Sequence, residues 1–150
     1  MAKKIMERRA SDNKYLHKDF HVSLDIGIEY IGRQFGAEAV DEYITQYARS
    51  FYKPMSLTQL QQYFQEIYEA EEASNVLKTV CTEDTLTVEI SECPAIRFMR
   101  STGHEPSEWY EKTTSVLYAV LADICGFTFE LVQYDPKNGQ SCFRFRRAVK

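Results

Sequence analysis

Hydrophobic residues recur at helical spacing through the first half of the chain. After the polar run Ser11–Asn13, apolar side chains return every three or four residues until Gly36, a residue type that commonly ends helices. The members of this stripe are Leu16, Phe20, Leu24, Ile28, Ile31 and Phe35. A second stripe predicts a helix from about Ala37 to Tyr52. Ser56 and Gln59 have the spacing of a capping box, which predicts the start of a third helix.

After residue 75 the hydrophobic spacing changes to alternation, which predicts strands. One hairpin is expected from Val76–Cys81 and Leu86–Ser91, and a second from Phe127–Tyr134 and Ser141–Arg146 around the turn sequence DPKNG. Between the hairpins the spacing predicts one long helix from Pro106 to about Cys125. The resulting order, ααα–ββ–α–ββ, indicates an α+β fold in which helices pack on a four-stranded antiparallel sheet.

Composition and charge narrow the class of protein. The 150 residues fit one domain, and 44% hydrophobic with 27% charged residues is typical of a soluble globular protein. The net charge of −4 argues against a nucleic-acid binder. Because no apolar run approaches the ~20 residues of a membrane span and no apolar signal segment begins the chain, we expect a cytoplasmic protein. Residues 1–12 are expected to form a flexible basic tail, and the acidic run EAEE (residues 69–72) to face water.

The cysteine pattern gives no metal site. Four cysteines are widely spaced and no two form a CxxC pair, so we expect reduced thiols rather than a zinc ribbon. No G-x-G-x-x-G or P-loop sequence is present, which leaves a nucleotide-binding reading without support. We therefore predict neither a metal nor a cofactor.

The first candidate site is the segment YLHKDFH in the first helix. Helical geometry places His17 and His21 on one strip at the edge of the apolar stripe, and Asp25 continues that strip one turn further. An i, i+4 pair of His21 and Asp25 would hold the imidazole in one tautomer. Boundary residues of the core, catalytic or pocket groups, and metal ligands are the three open interpretations. We predict that His21 has the functional role and that His17 mainly supports stability.

The second and third candidate sites lie near the strands. Cys93 stands where the alternation stops before Pro94, and an exposed thiol there would be reactive if a neighbour lowered its pKa, whereas a buried one would be inert. His104 is a candidate for anion binding or an ordinary loop residue. In the last strand, Cys142, Arg144 and Arg146 belong on the face opposite Phe143 and Phe145. The two arginines would either grip a carboxylate or form salt bridges to Glu89 and Glu130.

These residues also carry a family resemblance. The pair Cys93-Pro94, a following helix and the closing segment Gly139–Phe145, which reads G-x-x-C-F-x-F, resemble the L-2-amino-thiazoline-4-carboxylic acid hydrolase family. Members open a cyclic amidine ring that carries a carboxylate, so the resemblance implies that activity and assigns Cys93 and Cys142 to its site. The element order is similar to that of 4-vinyl reductase type ligand-binding domains and of vesicle-tethering (TRAPP) subunits. The tethering subunits form dimers, which implies a homodimer here.

Three functions remain open from the sequence. The first is a small cytoplasmic hydrolase acting on a C–N bond of a small carboxylated molecule. In this hydrolase, Cys93 or Cys142 would act as the nucleophile or shape the site. His21, or else His104, would be the general base. Arg144 and Arg146 would bind the carboxylate. The second is a ligand-binding module with an aromatic-lined pocket between sheet and helices. The third is an adaptor that dimerises through helical surface near Tyr43–Tyr68.

Overall fold

The described part of the chain opens with three helices, as the periodicity predicts. The computed structural model describes residues 14–148, with side chains from residue 20 onward. The helices are α1 (Lys14–Phe35), α2 (Ala37–Phe51) and α3 (Leu57–Ala70). The predicted capping box is present at the start of α3: Gln59 N donates to Ser56 Oγ at 3.1 Å, and Ser56 N donates to Gln59 Oε1 at 2.9 Å.

A four-stranded antiparallel sheet follows, which confirms the α+β fold. A 3-10 turn (Ser74–Val76) leads into β1 (Leu77–Cys81) and β2 (Thr85–Ile90), and the second hairpin is β3 (Phe127–Tyr134) with β4 (Ser141–Arg147). The strand order is β1-β2-β4-β3, so the two predicted hairpins join through β2 and β4. The change from helical to alternating spacing therefore located all four strands.

The connection between the hairpins is helical, but the predicted single helix from Pro106 is wrong. It consists of α4 (Pro94–Ser101), a loop, the short α5 (Lys112–Ser115) and α6 (Leu117–Cys125). Pro94, which follows the end of the alternation, occupies the first turn of α4, where its missing N–H costs no hydrogen bond. The new helix forms one wall of the candidate site.

The sheet has one covered and one open face. Its covered face packs against α3 and α6 in the largest apolar cluster, whose fully buried large side chains include Leu60, Phe64, Leu86, Leu121, Phe143 and Phe145. On the other face, Val80 is 51% exposed and the side chain of Lys78 is 74% exposed. The predicted alternation of β2 and β4 therefore separates a core face from a solvent face.

A smaller cluster fixes α1 and α2 together. Ile28, Val40 and Ile44 are buried there, with Trp109 packed against them. Trp109 lies so close to α1 that a methyl group at Gly32 would be 2.6 Å from its ring. Several aromatic members of the predicted stripes remain outside the core: Phe20, Phe35, Tyr43 and Phe51 are exposed. Fewer residues of these two helices are buried than their hydrophobic spacing indicates.

Within the described residues, no helix is both long enough and apolar enough to cross a membrane. The predicted basic tail, residues 1–12, lies outside the described residues. So does the side chain of His17.

Candidate functional site

The His21 side chain lines a cavity of about 280 Å³ where α1, the end of α3 and α4 meet. We call this cavity the His21 pocket. Its other lining residues are Glu71, Glu72, Ala73, Asn75, Val76, Glu92, Pro94, Arg97, Phe98 and Ser101. Phe98 is the only Phe, Tyr or Trp among these described residues, so the pocket differs from the aromatic-lined pocket expected of a binding module. Its described lining combines charged and polar residues with smaller apolar ones.

The central feature of the pocket is a histidine–carboxylate pair. His21 Nε2 is in direct contact with Glu71 Oε1, and the two side chains are 20% and 5% exposed. The predicted partner of His21 was Asp25, and that pairing is wrong. The prediction that the run EAEE faces water is also wrong at Glu71, which is buried. A buried carboxylate orients the imidazole and stabilises the imidazolium that forms when the ring accepts a proton.

Asp25 instead forms a clamp with the loop that follows α4. It is completely buried, and His104 Nε2 lies 2.7 Å from its Oδ2. Ser107 adds two further hydrogen bonds, from its N at 3.0 Å and from its Oγ at 2.8 Å. Neither Asp25 nor His104 lines the His21 pocket. Both were predicted as site residues, but these contacts attach the loop to α1.

The turn after α3 presents a carboxylate to the pocket in an unusual backbone conformation. Glu72 has φ 57° and is the only non-glycine residue with positive φ in the described part of the chain. This left-handed conformation costs a non-glycine residue roughly 1–2 kcal/mol. Such conformations are concentrated at functional sites. In the same turn Ala73 N donates to Tyr68 O at 2.7 Å, which fixes the exit of the chain from α3.

Charge in the pocket is predominantly acidic. Glu71, Glu72 and Glu92 line it, and Arg97 is the one Lys or Arg among the described residues of its lining. Arg97 Nη1 lies 3.3 Å from Glu92 Oε1, and the arginine side chain is 75% exposed. Because it is so exposed, Arg97 can exchange this ion pair for a ligand carboxylate at little cost. The described lining of the pocket therefore carries charges of both signs.

Cys93 lies beside the pocket under tight packing. Its N donates to Asn138 O at 2.9 Å. A methyl group at Gly139, whose φ is 74°, would overlap the Cβ of Cys93. Burial raises the pKa of the Cys93 thiol; backbone N–H groups of Ile96 and Ala95 oppose this, and the charge of Glu71 adds to it. The raised pKa favours the protonated thiol at neutral pH. Of the two alternatives from the sequence, a reactive thiol or a buried inert one, this favours the second.

Cys142, Arg144 and Arg146 lie elsewhere, on the open face of the sheet. Arg144 Nη1 and Arg146 Nη2 lie 3.5 and 3.4 Å from the same atom, Glu130 Oε2. The two arginines therefore form salt bridges to Glu130, one of the two alternatives from the sequence. Cys142 lies opposite the phenylalanine face as predicted and lines a separate cavity of about 390 Å³, which we call the sheet groove. Burial and then the charge of Glu89 raise the pKa of Cys142, against the opposing effect of Arg144. The two cysteines thus do not meet at His21.

Comparison with known proteins adds no assignment: the chain matches no model of a known protein family, and no curated protein matches it. Among the described residues, no three His, Cys, Asp or Glu side chains form a group able to hold a metal ion. Sequence reasoning missed Glu71 and Arg97. Nothing local distinguishes them, since Glu71 is 50 residues from His21 in the chain.

Proposed function

We propose that this protein is a small cytoplasmic hydrolase that opens a C–N bond of a cyclic amidine or a similar small molecule carrying a carboxylate. The observation that carries the proposal is the His21–Glu71 pair in the wall of a cavity of about 280 Å³. A positioned imidazole with a buried carboxylate behind it is a general base of the kind that activates water.

The proposed reaction needs only water and one proton shuttle. His21 accepts a proton from a water molecule while the water oxygen forms a bond to the amidine carbon and the electron pair of the C=N π bond moves to nitrogen. The ring C–N bond then breaks as the carbon and the new hydroxyl oxygen form a C=O bond. The electron pair of the broken bond stays on the ring nitrogen, which takes the proton back from His21, and the hydroxyl proton is released to solvent. Glu71 stabilises the imidazolium between these steps.

Charge in the pocket supports a substrate of this kind. An amidine is protonated at neutral pH, and the described wall carries both carboxylates and a guanidinium, which supports a substrate with a cationic and an anionic group. Arg97 replaces Arg144 and Arg146 as the carboxylate anchor, because those two arginines already share Glu130 on the open face. In this proposal Cys93 shapes the site, since its raised pKa leaves little thiolate for nucleophilic attack.

Replacing the general base is expected to abolish turnover without unfolding the protein. With L-2-amino-thiazoline-4-carboxylic acid as the probe, the wild type forms a product heavier by one water molecule, detected by mass spectrometry. His21→Ala lowers kcat by about 100-fold or more, since general base catalysis contributes at least that much. Arg97→Ala mainly raises KM. Arg49→Ala, which removes an exposed ion pair with Asp123 outside the pocket, is the matched control and leaves both constants unchanged.

The binding module is the second candidate, favoured by the protonated state of Cys93. If calorimetry shows that the probe binds but no turnover occurs, the protein is a binding module and not a hydrolase. Turnover that survives in His21→Ala would contradict the assigned base. If the probe is neither bound nor turned over, the choice of substrate class is wrong.

We also propose a two-fold homodimer through the exposed aromatic surface of α2, where Tyr43 is 39% and Phe51 58% exposed. Tyr68, at the end of the surface suggested by the sequence, is buried and takes no part. Light scattering at tens of micromolar, a rough working range, is expected to give twice the chain mass for the wild type and the chain mass for Phe51→Ser. A monomeric wild type would exclude the dimer.

A further inference from the structure

The sheet groove is larger than the His21 pocket, and the proposed hydrolysis does not use it. Its lining residues come from the 3-10 turn and from all four strands: Asn75, Val76, Leu77, Lys78, Glu89, Ile90, Ser91, Gln133, Gln140, Ser141 and Cys142. It lies where β2 ends and β4 begins, on the face of the sheet opposite the phenylalanine core.

Strand register brings one residue from each strand into a single row in the groove. Lys78 pairs with Glu89, Glu89 with Cys142, and Cys142 with Gln133. The last pair depends on a β-bulge in β3, since a regular register would place Val132 opposite Cys142. Bulges re-aim side chains and are common beside binding sites. This bulge replaces an apolar side chain in the row by a primary amide.

Primary amides are the characteristic polar groups of the groove. Three side-chain amides line the groove, those of Asn75, Gln133 and Gln140, and none of them is hydrogen-bonded to another described residue. Each offers two N–H donors and one carbonyl acceptor. The two charged lining residues oppose one another, because Lys78 Nζ lies 3.8 Å from Glu89 Oε2. The groove therefore offers many hydrogen bonds but no net charge.

We propose that the sheet groove is a second binding site, for an uncharged ligand group that carries amides. A charged group would gain no net Coulomb attraction there, whereas an amide matches the donors and acceptors of the three side-chain amides. The groove and the His21 pocket share Asn75 and Val76. The two cavities therefore adjoin at the 3-10 turn. The site stands on its own geometry and does not require the hydrolase to be correct.

Two probes that differ only in charge test the site. N-acetylglycinamide is neutral, and N-acetylglycine has a carboxylate in place of the terminal amide. In NMR titrations of the isotope-labelled protein, we expect N-acetylglycinamide to shift the signals of Gln133, Gln140 and Cys142 saturably. We expect N-acetylglycine to bind the groove about 10-fold more weakly, a difference of about 1.4 kcal/mol, and to shift Arg97 instead.

Two variants complete the test. Gln133→Leu should weaken N-acetylglycinamide binding, while Gln62→Leu, on the exposed face of α3, should leave it unchanged. Equal binding of both probes in the groove, no saturable shift there, or no effect of Gln133→Leu would each overturn the proposal. Because the groove signals are recorded separately from Arg97, failure at this site is distinguishable from failure of the hydrolase assignment. Groove shifts should also persist in His21→Ala.

Discussion

Replacing Asp25 with alanine is expected to lower the free energy of unfolding by about 3–5 kcal/mol, because each buried hydrogen-bond donor left without its acceptor costs roughly 1–3 kcal/mol. Asp25 is completely buried and accepts hydrogen bonds from His104 and from Ser107 twice. Its removal leaves these donors without their acceptor. Urea denaturation followed by circular dichroism measures the loss.

Asp123→Ala is the matched control for that substitution. Asp123 is also a helical aspartate with a basic partner, Arg49 at 3.0 Å, but the two side chains are 70% and 54% exposed. Exposed pairs contribute at most about 1 kcal/mol. Ser107→Ala should give an intermediate loss, because the backbone N–H of residue 107 still reaches Asp25. Similar losses from Asp25→Ala and Asp123→Ala would show that the clamp does not hold the fold together.

Stability is expected to fall steeply as the solution becomes alkaline. Tyr68 and Tyr110 are 6% and 5% exposed, and burial raises the pKa of both phenols well above the ordinary 10.0. Burial likewise raises the pKa of Cys93 from the ordinary 9.0. Above these ordinary values the unfolded chain loses protons that the folded chain keeps, so ionisation favours unfolding. The full stability is present below about pH 9 and is lost as the pH rises.

Each buried phenol lowers the free energy of unfolding by about 1.4 kcal/mol per pH unit above its ordinary pKa. Denaturant titrations at pH steps from about 8 to 11 measure this slope. Tyr68→Phe should make it shallower by that amount. Tyr30→Phe is the control, because Tyr30 is 62% exposed and its hydroxyl reaches water in both states. A slope that is flat over this range, or unchanged in Tyr68→Phe, would contradict the buried state of these phenols.

The helices and strands of this fold can be predicted from the sequence wherever local hydrophobic spacing or the chemistry of single residues determines them. Hydrophobic spacing located α1, α2, α3 and the four strands, and Ser56 with Gln59 identified the start of α3. The exit from α6 follows from Gly126, whose φ of 79° is the left-handed conformation that glycine adopts without steric cost. Such signals are local, so no tertiary information is needed.

The helix α4 shows where local signals are insufficient. Eight residues are too few for a hydrophobic period to be distinguished from the end of a strand, and Pro94 suits both a strand end and a first helical turn. Packing of Ala95, Ile96 and Met99 against Tyr110 decides between them. Because Tyr110 belongs to the segment before α5, the same packing holds that segment as a loop where a helix starting at Pro106 was predicted.

The sequence by itself determined the fold class, the two hairpins, the open face that carries Cys142, and His21 as a candidate site residue. Only the tertiary structure decided which carboxylate each histidine meets. The local geometry of α1 favoured His21 with Asp25, but folding pairs His21 with Glu71, 50 residues away, and Asp25 with His104, 79 residues away. A buried carboxylate needs a hydrogen-bonding partner that reaches it in the packed core, and chain spacing does not reveal which distant residue that is.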